Sequence, residues 1–188
     1  MKKFFVALSI PLLALVLAAC SVEDADPTAT ILDIVVAFDD TATLEDAAGA
    51  ADPAVVETLA GAGSLTLFAP TEDGFASALD FIAGVCEVDS YTATDLLGVD
   101  TALLTTILQY HVVGAEAFAA DLVDGQVLTM AAGGPVTVSL DDGPQLIDGL
   151  GRTIDIVRTD LDASNGVVHY IGDVLIPAAA AEADLNCP

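Results

Sequence analysis

LTLFAPTEDGF, residues 65–75, joins a short strand directly to a helix. The first five residues alternate in the manner of a half-buried strand, and Pro70 ends that run. Thr71 is a good N-cap residue, and the first turn after it carries Glu72 and Asp73, whose charges suit the positive end of a helix dipole. The segment therefore predicts a strand that is followed at once by a helix.

Upstream and downstream of this segment, the hydrophobic pattern up to residue 108 is mostly helical. Apolar residues recur at helical spacing from Ile31 to Phe38. Asp52 and Pro53 form a start signal for a second helix, and Gly61 is its stop signal. Asp100 is predicted to cap a further helix whose apolar face ends at His111.

From Val112 onward the pattern changes to short β-branched runs that are separated by turn residues. A helical first half and a strand-rich second half predict an α+β fold, with helices packed to one side of a largely antiparallel sheet. The predicted strands are Val127–Met130, Val136–Leu140, Gln145–Ile147, Thr153–Val157 and Val167–Ile171.

Three segments in this order resemble the motifs of the fasciclin domain family. TLFAPTEDGF, residues 66–75, is similar to its first signature, with Gly74 where alanine is commoner. LQYHVV, residues 108–113, resembles its central Tyr-His motif, and ASNGVVHYIGDVLIP, residues 163–177, resembles its second signature. The resemblance implies one domain over residues 30–178, a β-wedge with helices packed on one side, and adhesion without a cofactor or catalytic residues.

Residues 1–19 have the composition of a lipoprotein signal peptide. Lys2 and Lys3 precede an apolar run from Phe4 to Leu17, which is the order found in secretory signals. At 14 residues the run is shorter than the roughly 20 that a membrane-spanning helix needs. A transmembrane anchor is therefore not expected.

LAAC, residues 17–20, resembles a bacterial lipobox, so we expect lipid attachment at Cys20 and export to the cell envelope. An ordinary signal peptide that leaves a free cysteine is the alternative. The polar residues of 20–29 are predicted to form a tether, and residues 179–188 a C-terminal tail. The protein would then be lipid-anchored at the outer membrane, or at the cell surface or in the periplasm.

The chain is very acidic, with 29 Asp and Glu residues and a formal net charge of −25. Removal of residues 1–19 takes away both lysines and changes the net charge to −27. Such a surface repels nucleic acid, and salt relieves its self-repulsion, so we expect a protein adapted to a saline habitat. A calcium-binding surface and simple solubility are the alternatives, whereas a hydrophobic content of 54% excludes disorder.

Cys86 and Cys187 remain once Cys20 is assigned to the lipid. Outside the cytoplasm two cysteines form a candidate disulfide, and free buried thiols are the alternative.

His111 and His169, the two histidines of the chain, invite a metal-site hypothesis. Two ligands do not make a zinc site, and both histidines lie in apolar runs. We therefore expect that they bind no metal and that each forms hydrogen bonds inside the domain. The Tyr-His motif of animal relatives is implicated in receptor binding, which makes Tyr110 and His111 candidate binding residues by resemblance. Packing is the alternative role.

Asp160, Asp162 and Ser164 alternate as in a calcium loop, but Asn165 stands where an EF-hand needs glycine. No G-x-S-x-G elbow is present, and an enzyme is not expected. We expect a non-catalytic adhesion or binding module whose partner is an envelope or matrix polysaccharide or protein. Residues 80–100 differ most from the family and are the expected place of partner choice. The alternative is a periplasmic domain that binds a small ligand or assists another envelope protein.

Overall fold

The computed structural model describes residues 28–98 and 100–182, so the predicted signal peptide, Cys20 and Cys187 lie outside the described residues. The helices of this part are α1 Ile31–Ala37, α2 Ala42–Ala50, α3 Pro53–Ala60, α4 Glu72–Cys86, α5 Ala93–Leu97, α6 Thr101–Gln109 and α7 Ala178–Glu182. The strands are β1 Leu65–Pro70, β2 Val112–Val113, β3 Val127–Thr129, β4 Pro135–Ser139, β5 Gln145–Ile147, β6 Thr153–Ala163 and β7 Gly166–Ile171. Single 3-10 turns lie at Asp39–Thr41 and Ala119–Asp121.

The predicted helix starts are confirmed. Asp52 accepts a hydrogen bond from the backbone N–H of Ala54 at 2.9 Å, at the start of α3. Thr71 accepts one from the backbone N–H of Gly74 at 3.2 Å, at the start of α4. Asp100 is at the N-cap position of α6, but its side chain makes no capping hydrogen bond. Local sequence therefore fixes where these helices begin.

The strands form one sheet in the order β2-β1-β7-β6-β5-β4-β3. Strands β1 and β7 run parallel, and every other neighbouring pair is antiparallel. Val113 of β2 forms a bridge with Met130, directly after β3, so the sheet nearly closes on itself as a wedge. The predicted α+β fold with a largely antiparallel sheet is confirmed.

Strand β6 extends to Ala163, six residues beyond the predicted end at Val157. The register against β7 shifts between Ile156 and Leu161, and Asp160 within this bulge has a φ of +60°. A bulge interrupts the alternation of buried and exposed side chains, which is the signal that marks a strand in a sequence. Strand β2 was also not predicted, because two residues carry no periodicity.

The sheet separates two hydrophobic cores. Leu67 and Ala69 of β1 pack with the helices in the larger core, while Phe68 between them packs inside the wedge in the smaller one. Strand β7 divides its side chains in the same way, and all six of its residues are buried. A strand covered on both faces loses hydrophobic alternation, which accounts for the continuous apolar run at residues 167–171.

Among the described residues, no helix has the length and apolar character needed to cross a membrane.

Candidate functional site

The three motif segments come together at the centre of the sheet. Strand β1 lies between β2 and β7, with Thr66 opposite Val113 on one side and Val167 on the other. We use the name motif centre for five of the residues that these segments bury here, which are Thr66, Tyr110, His111, Asn165 and His169.

His111 lies two residues after the end of α6 and is 2% exposed. Its Nδ1 is 2.8 Å from the carbonyl oxygen of Ile107, and the backbone N–H of Leu175 donates to its Nε2 at 2.9 Å. Because Nε2 accepts, Nδ1 carries the proton and donates to Ile107. Burial lowers the pKa of His111 to about 4, so the ring is neutral near pH 7.

His169 has the opposite tautomer. The backbone N–H of Asp160 donates to its Nδ1 at 3.2 Å, so Nε2 carries the proton and donates to the carbonyl oxygen of Ala117 at 2.8 Å. Burial lowers the pKa of His169 as well, and its ring stacks on Phe68 with 5.5 Å between centroids. Both histidines use both nitrogens on backbone partners, and within residues 28–98 and 100–182 no three metal-ligating side chains come together.

Asn165 connects the sheet to two helices. Its side-chain oxygen accepts from the first backbone N–H of α1, at Ile31, over 2.8 Å. Its side-chain nitrogen donates to the carbonyl oxygens of Leu59 and Gly61 at the end of α3, over 2.9 and 2.6 Å. The amide thus satisfies helix-end groups that have no partner within their own helices.

Ser164, next to Asn165, holds the start of the described chain. Its backbone N–H donates to the carbonyl oxygen of Ala29 at 2.8 Å, and its hydroxyl donates to that of Thr28 at 3.2 Å. These two residues were predicted as the end of the tether, and here they pair with the domain.

Glycines allow the closest backbone contacts of the motifs. Gly166 has a φ of +149°, and a Cβ there would lie 2.0 Å from the carbonyl oxygen of Leu65. A Cβ at Gly74 would lie 3.0 Å from the backbone nitrogen of Asp173. Position 74, where the family more often has alanine, therefore suits glycine here because the backbone that follows β7 packs closely against it.

Tyr110 is 1% exposed, and its hydroxyl donates to the carbonyl oxygen of Pro135. Desolvation raises its pKa. The candidate binding residues Tyr110 and His111 are thus both interior, and their side-chain polar atoms are paired inside the domain.

Sequence reasoning missed a cluster around Asp148, whose side chain is fully buried. Asp148 accepts hydrogen bonds from the backbone N–H groups of Leu150 and Arg152, each at 2.9 Å. It also forms a salt bridge of 2.8 Å with the guanidinium of Arg152, which donates in addition to the carbonyl oxygen of Val174. DGLG, residues 148–151, has the sequence of an ordinary surface turn. Arg152 follows it, and because the chain has only two arginines beside 29 acidic residues, this arginine could have indicated a specific ion pair.

A side chain of α4 completes this cluster on the outside. The guanidinium carbon of Arg152 lies 4.7 Å from the ring centroid of Phe81, which is 36% exposed. Val85, one helical turn further, is 53% exposed. We call Phe81, Val85 and Arg152 the α4 face. Both helix residues fall within the predicted partner-choosing stretch.

Cys86 ends α4 and is disulfide-bonded. Cys20 and Cys187 both lie outside the described residues, so the predicted pairing of Cys86 with Cys187 stays a prediction.

The nearly closed wedge, the helices against it and the three adjacent motif segments define a fasciclin-type domain. The family model of the fasciclin domain matches residues 39–177. The chain belongs to the fasciclin domain family, whose domains are adhesion-related modules.

Relatives occur in bacteria and animals. Protein sll1483 of Synechocystis is 35% identical over 152 residues, which cover 81% of this chain and 76% of the relative. Human periostin is 27% identical over 153 residues, covering 81% of this chain and 16% of periostin. Mouse stabilin-2 is 30% identical over 125 residues, covering 65% of this chain and 4% of stabilin-2. The chain thus spans a small part of these animal proteins.

A solved structure shares the fold. The fasciclin domain pair of the insect cell adhesion molecule fasciclin I superposes with a TM-score of 0.63 at 18% identity, over 81% of this chain and 52% of that one. The chain spans about half the length of that structure.

Proposed function

We propose that this protein is a non-catalytic adhesion module of the cell envelope, held there by lipid on Cys20, and that it binds its partner through the α4 face. The solved relative is a cell adhesion molecule, which supports the general role. The partner class is a polysaccharide or protein of the envelope or matrix.

The observation that carries this proposal is the contact between the exposed ring of Phe81 and the partly exposed guanidinium of Arg152, in a chain with a formal net charge of −25. Aromatic and arginine side chains are enriched at the centres of interfaces and supply much of their binding energy. The motif residues, in contrast, direct their polar atoms to partners inside the domain. Recognition therefore falls to side chains outside the motifs.

The α4 face is also held in place before any partner arrives. Asp148 fixes Arg152 through its guanidinium, and the guanidinium fixes the ring of Phe81 from one side. Groups that are already ordered lose less conformational entropy on binding, which favours affinity. Helix α4 itself spans 15 residues from Glu72 to Cys86, so the face lies on a rigid element.

Binding to the natural surface tests the proposal. The chain from Ser21 onward, which contains every described residue, is incubated in high salt with the envelope and exopolysaccharide of the cells that produce it. An unfolded sample and an unrelated protein of similar acidity are the controls. We expect saturable binding by the folded domain alone. Binding no stronger than that of the acidic control would reject adhesion and favour the periplasmic ligand-binding or helper role.

The lipid anchor has its own test. Cells that make the full chain are fed an alkyne analogue of palmitate, and the protein is examined for label. Label that is present in the natural chain and lost in Cys20→Ser is the expected result. An unlabelled natural chain would remove the anchor and leave the adhesion proposal standing.

A further inference from the structure

A cavity of about 240 Å³ lies between α1, α2 and α3 and the residues of the helical core beneath them. Leu44, Val55, Leu59 and Leu67 form part of its wall and are all buried. It reaches the surface, because Val36, which also lines it, is 56% exposed. The cavity is separate from the α4 face.

Two of its fourteen lining residues, Glu45 and His111, have polar side chains. His111 already uses Nδ1 on Ile107 and Nε2 on Leu175, so it presents only ring carbon to the cavity for a ligand to contact. Glu45 is half-buried on α2. The lining is therefore mostly apolar, and its one charged side chain is negative.

We propose that this cavity binds the alkyl chain of an uncharged single-chain lipid, with the polar headgroup left at the surface near Glu45. An apolar cavity of about 150 Å³ stays dry and takes up apolar molecules. At about 30 Å³ for a water-sized group, the volume of the cavity corresponds to roughly eight such groups, which is similar to the volume of an alkyl chain of about eight carbons.

Charge decides the headgroup. Glu45 lines the cavity and the whole chain has a formal net charge of −25, so a carboxylate or phosphate headgroup is repelled from its opening. An uncharged glycerol or alcohol headgroup meets no such penalty. The ligand class is thus a neutral monoacyl lipid, and this binding is a property beyond the proposed adhesion.

Two probes with the same alkyl chain test both parts of the inference. Glycerol mono-octanoate and octanoate are titrated below their critical micelle concentrations into the chain from Ser21 onward, with isothermal calorimetry and methyl NMR as readouts. We expect one glycerol mono-octanoate per chain and shifts of the Val36 and Val56 methyl signals. Octanoate should bind about tenfold more weakly, because its charge meets that of Glu45.

A matched pair of charge reversals isolates Glu45. Glu45→Lys should remove or reverse the preference for the uncharged probe. Asp46→Lys changes the net charge equally on the same helix, at an exposed residue that does not line the cavity, and should keep the preference. Equal effects of the two variants would contradict the role of Glu45.

A second pair tests the place of binding. Gly49 lines the cavity and Gly84 does not, and a Cβ at either position meets no atom within 4 Å. Gly49→Leu should weaken binding of glycerol mono-octanoate about tenfold, and Gly84→Leu should leave it unchanged. Absence of saturable binding by the natural chain, or methyl shifts confined to residues outside the cavity, would overturn the proposal.

Discussion

The motif centre and the α4 face use their polar residues in opposite ways. In the motif centre, Asn165 and both histidines make hydrogen bonds to backbone groups and are buried. On the α4 face, Phe81 and Val85 are exposed, and Arg152 reaches outward from its buried partner Asp148. The strongest sequence motifs therefore mark the scaffold, while the face that we propose for binding carries no motif.

A buried polar group is costly unless it is paired, and the five residues of the motif centre all make side-chain hydrogen bonds. An exposed side chain changes with little effect on stability. Substitutions that break the hydrogen bonds of the motif centre should therefore destabilise the domain, whereas substitutions on the α4 face should weaken binding without unfolding it.

The largest expected effect is at Gly166. Gly166→Ala would place a Cβ 2.0 Å from the carbonyl oxygen of Leu65, in a backbone conformation that suits glycine. We expect a loss of about 4 kcal/mol or more in the free energy of unfolding, measured by denaturant titration. Gly84→Ala, at an unobstructed position in the last turn of α4, should be neutral or slightly stabilising. Equal stability of the two variants would contradict the close approach of β1 and β7.

Next in size is the loss of Asp148. Asp148→Ala removes the nearer of two carboxylates that pair with Arg152, whose guanidinium keeps Asp173 at 3.4 Å, and leaves backbone N–H groups unpaired, including that of Ile176. Removal of one partner of a buried pair costs about 3–5 kcal/mol, toward the lower end here because Arg152 is partly exposed. Asp142→Ala, at an exposed turn, should change the unfolding free energy by about 0.5 kcal/mol or less.

His111 makes the stability of the motif centre depend on pH. Its pKa is about 4 in the folded domain against about 6.5 for an unfolded histidine, so between these values the unfolded chain binds the extra proton. The contribution of His111 is complete above pH 6.5 and falls by about 3 kcal/mol as the pH is lowered toward 4. The lowered pKa of His169 acts in the same direction.

Comparison of the natural chain with His111→Gln isolates this contribution, because both proteins carry the same carboxylates. Urea unfolding at several pH values between 4 and 7 should show the natural chain losing stability relative to His111→Gln as pH falls. Parallel pH profiles would mean that His111 does not titrate with the lowered pKa.

The smallest of these expected effects is the response of stability to salt, which depends on the net charge of the whole surface. Because the full chain has a formal net charge of −25, the folded domain should be stabilised when salt screens its self-repulsion. We expect the melting temperature to rise by about 2–4 °C between 0.1 M and 1 M salt, which corresponds to about 1 kcal/mol for a domain of this size. An unchanged melting temperature would remove the case for a saline habitat.

Much of the scaffold could be predicted from the sequence because its signals are local. Asp52 and Thr71 cap the helices that their residue types predict, and five strands lie where β-branched runs occur. The three motifs led to the family, and through it to the wedge. Nothing local, however, shows that Asn165 reaches Leu59, more than one hundred residues earlier in the chain.

The contact between α4 and Arg152 and the cavity were not predicted for the same reason. Arg152 and Phe81 are 71 positions apart in the sequence, and only the closed fold brings them together. Tyr110 and His111 were candidate binding residues by resemblance to the family. Both side chains are buried by tertiary packing, which their positions in the sequence do not reveal.

The most direct test of this account is binding to the native envelope by three variants in one assay. Val85→Asp changes the α4 face, Val127→Asp makes the same change at a 60% exposed position on β3, and Tyr110→Phe removes only the buried hydroxyl. With folding verified by circular dichroism, we predict that Val85→Asp loses binding and that the other two bind as the natural chain does. Loss of binding by Tyr110→Phe with retention by Val85→Asp would contradict the account and return the binding role to the Tyr-His motif.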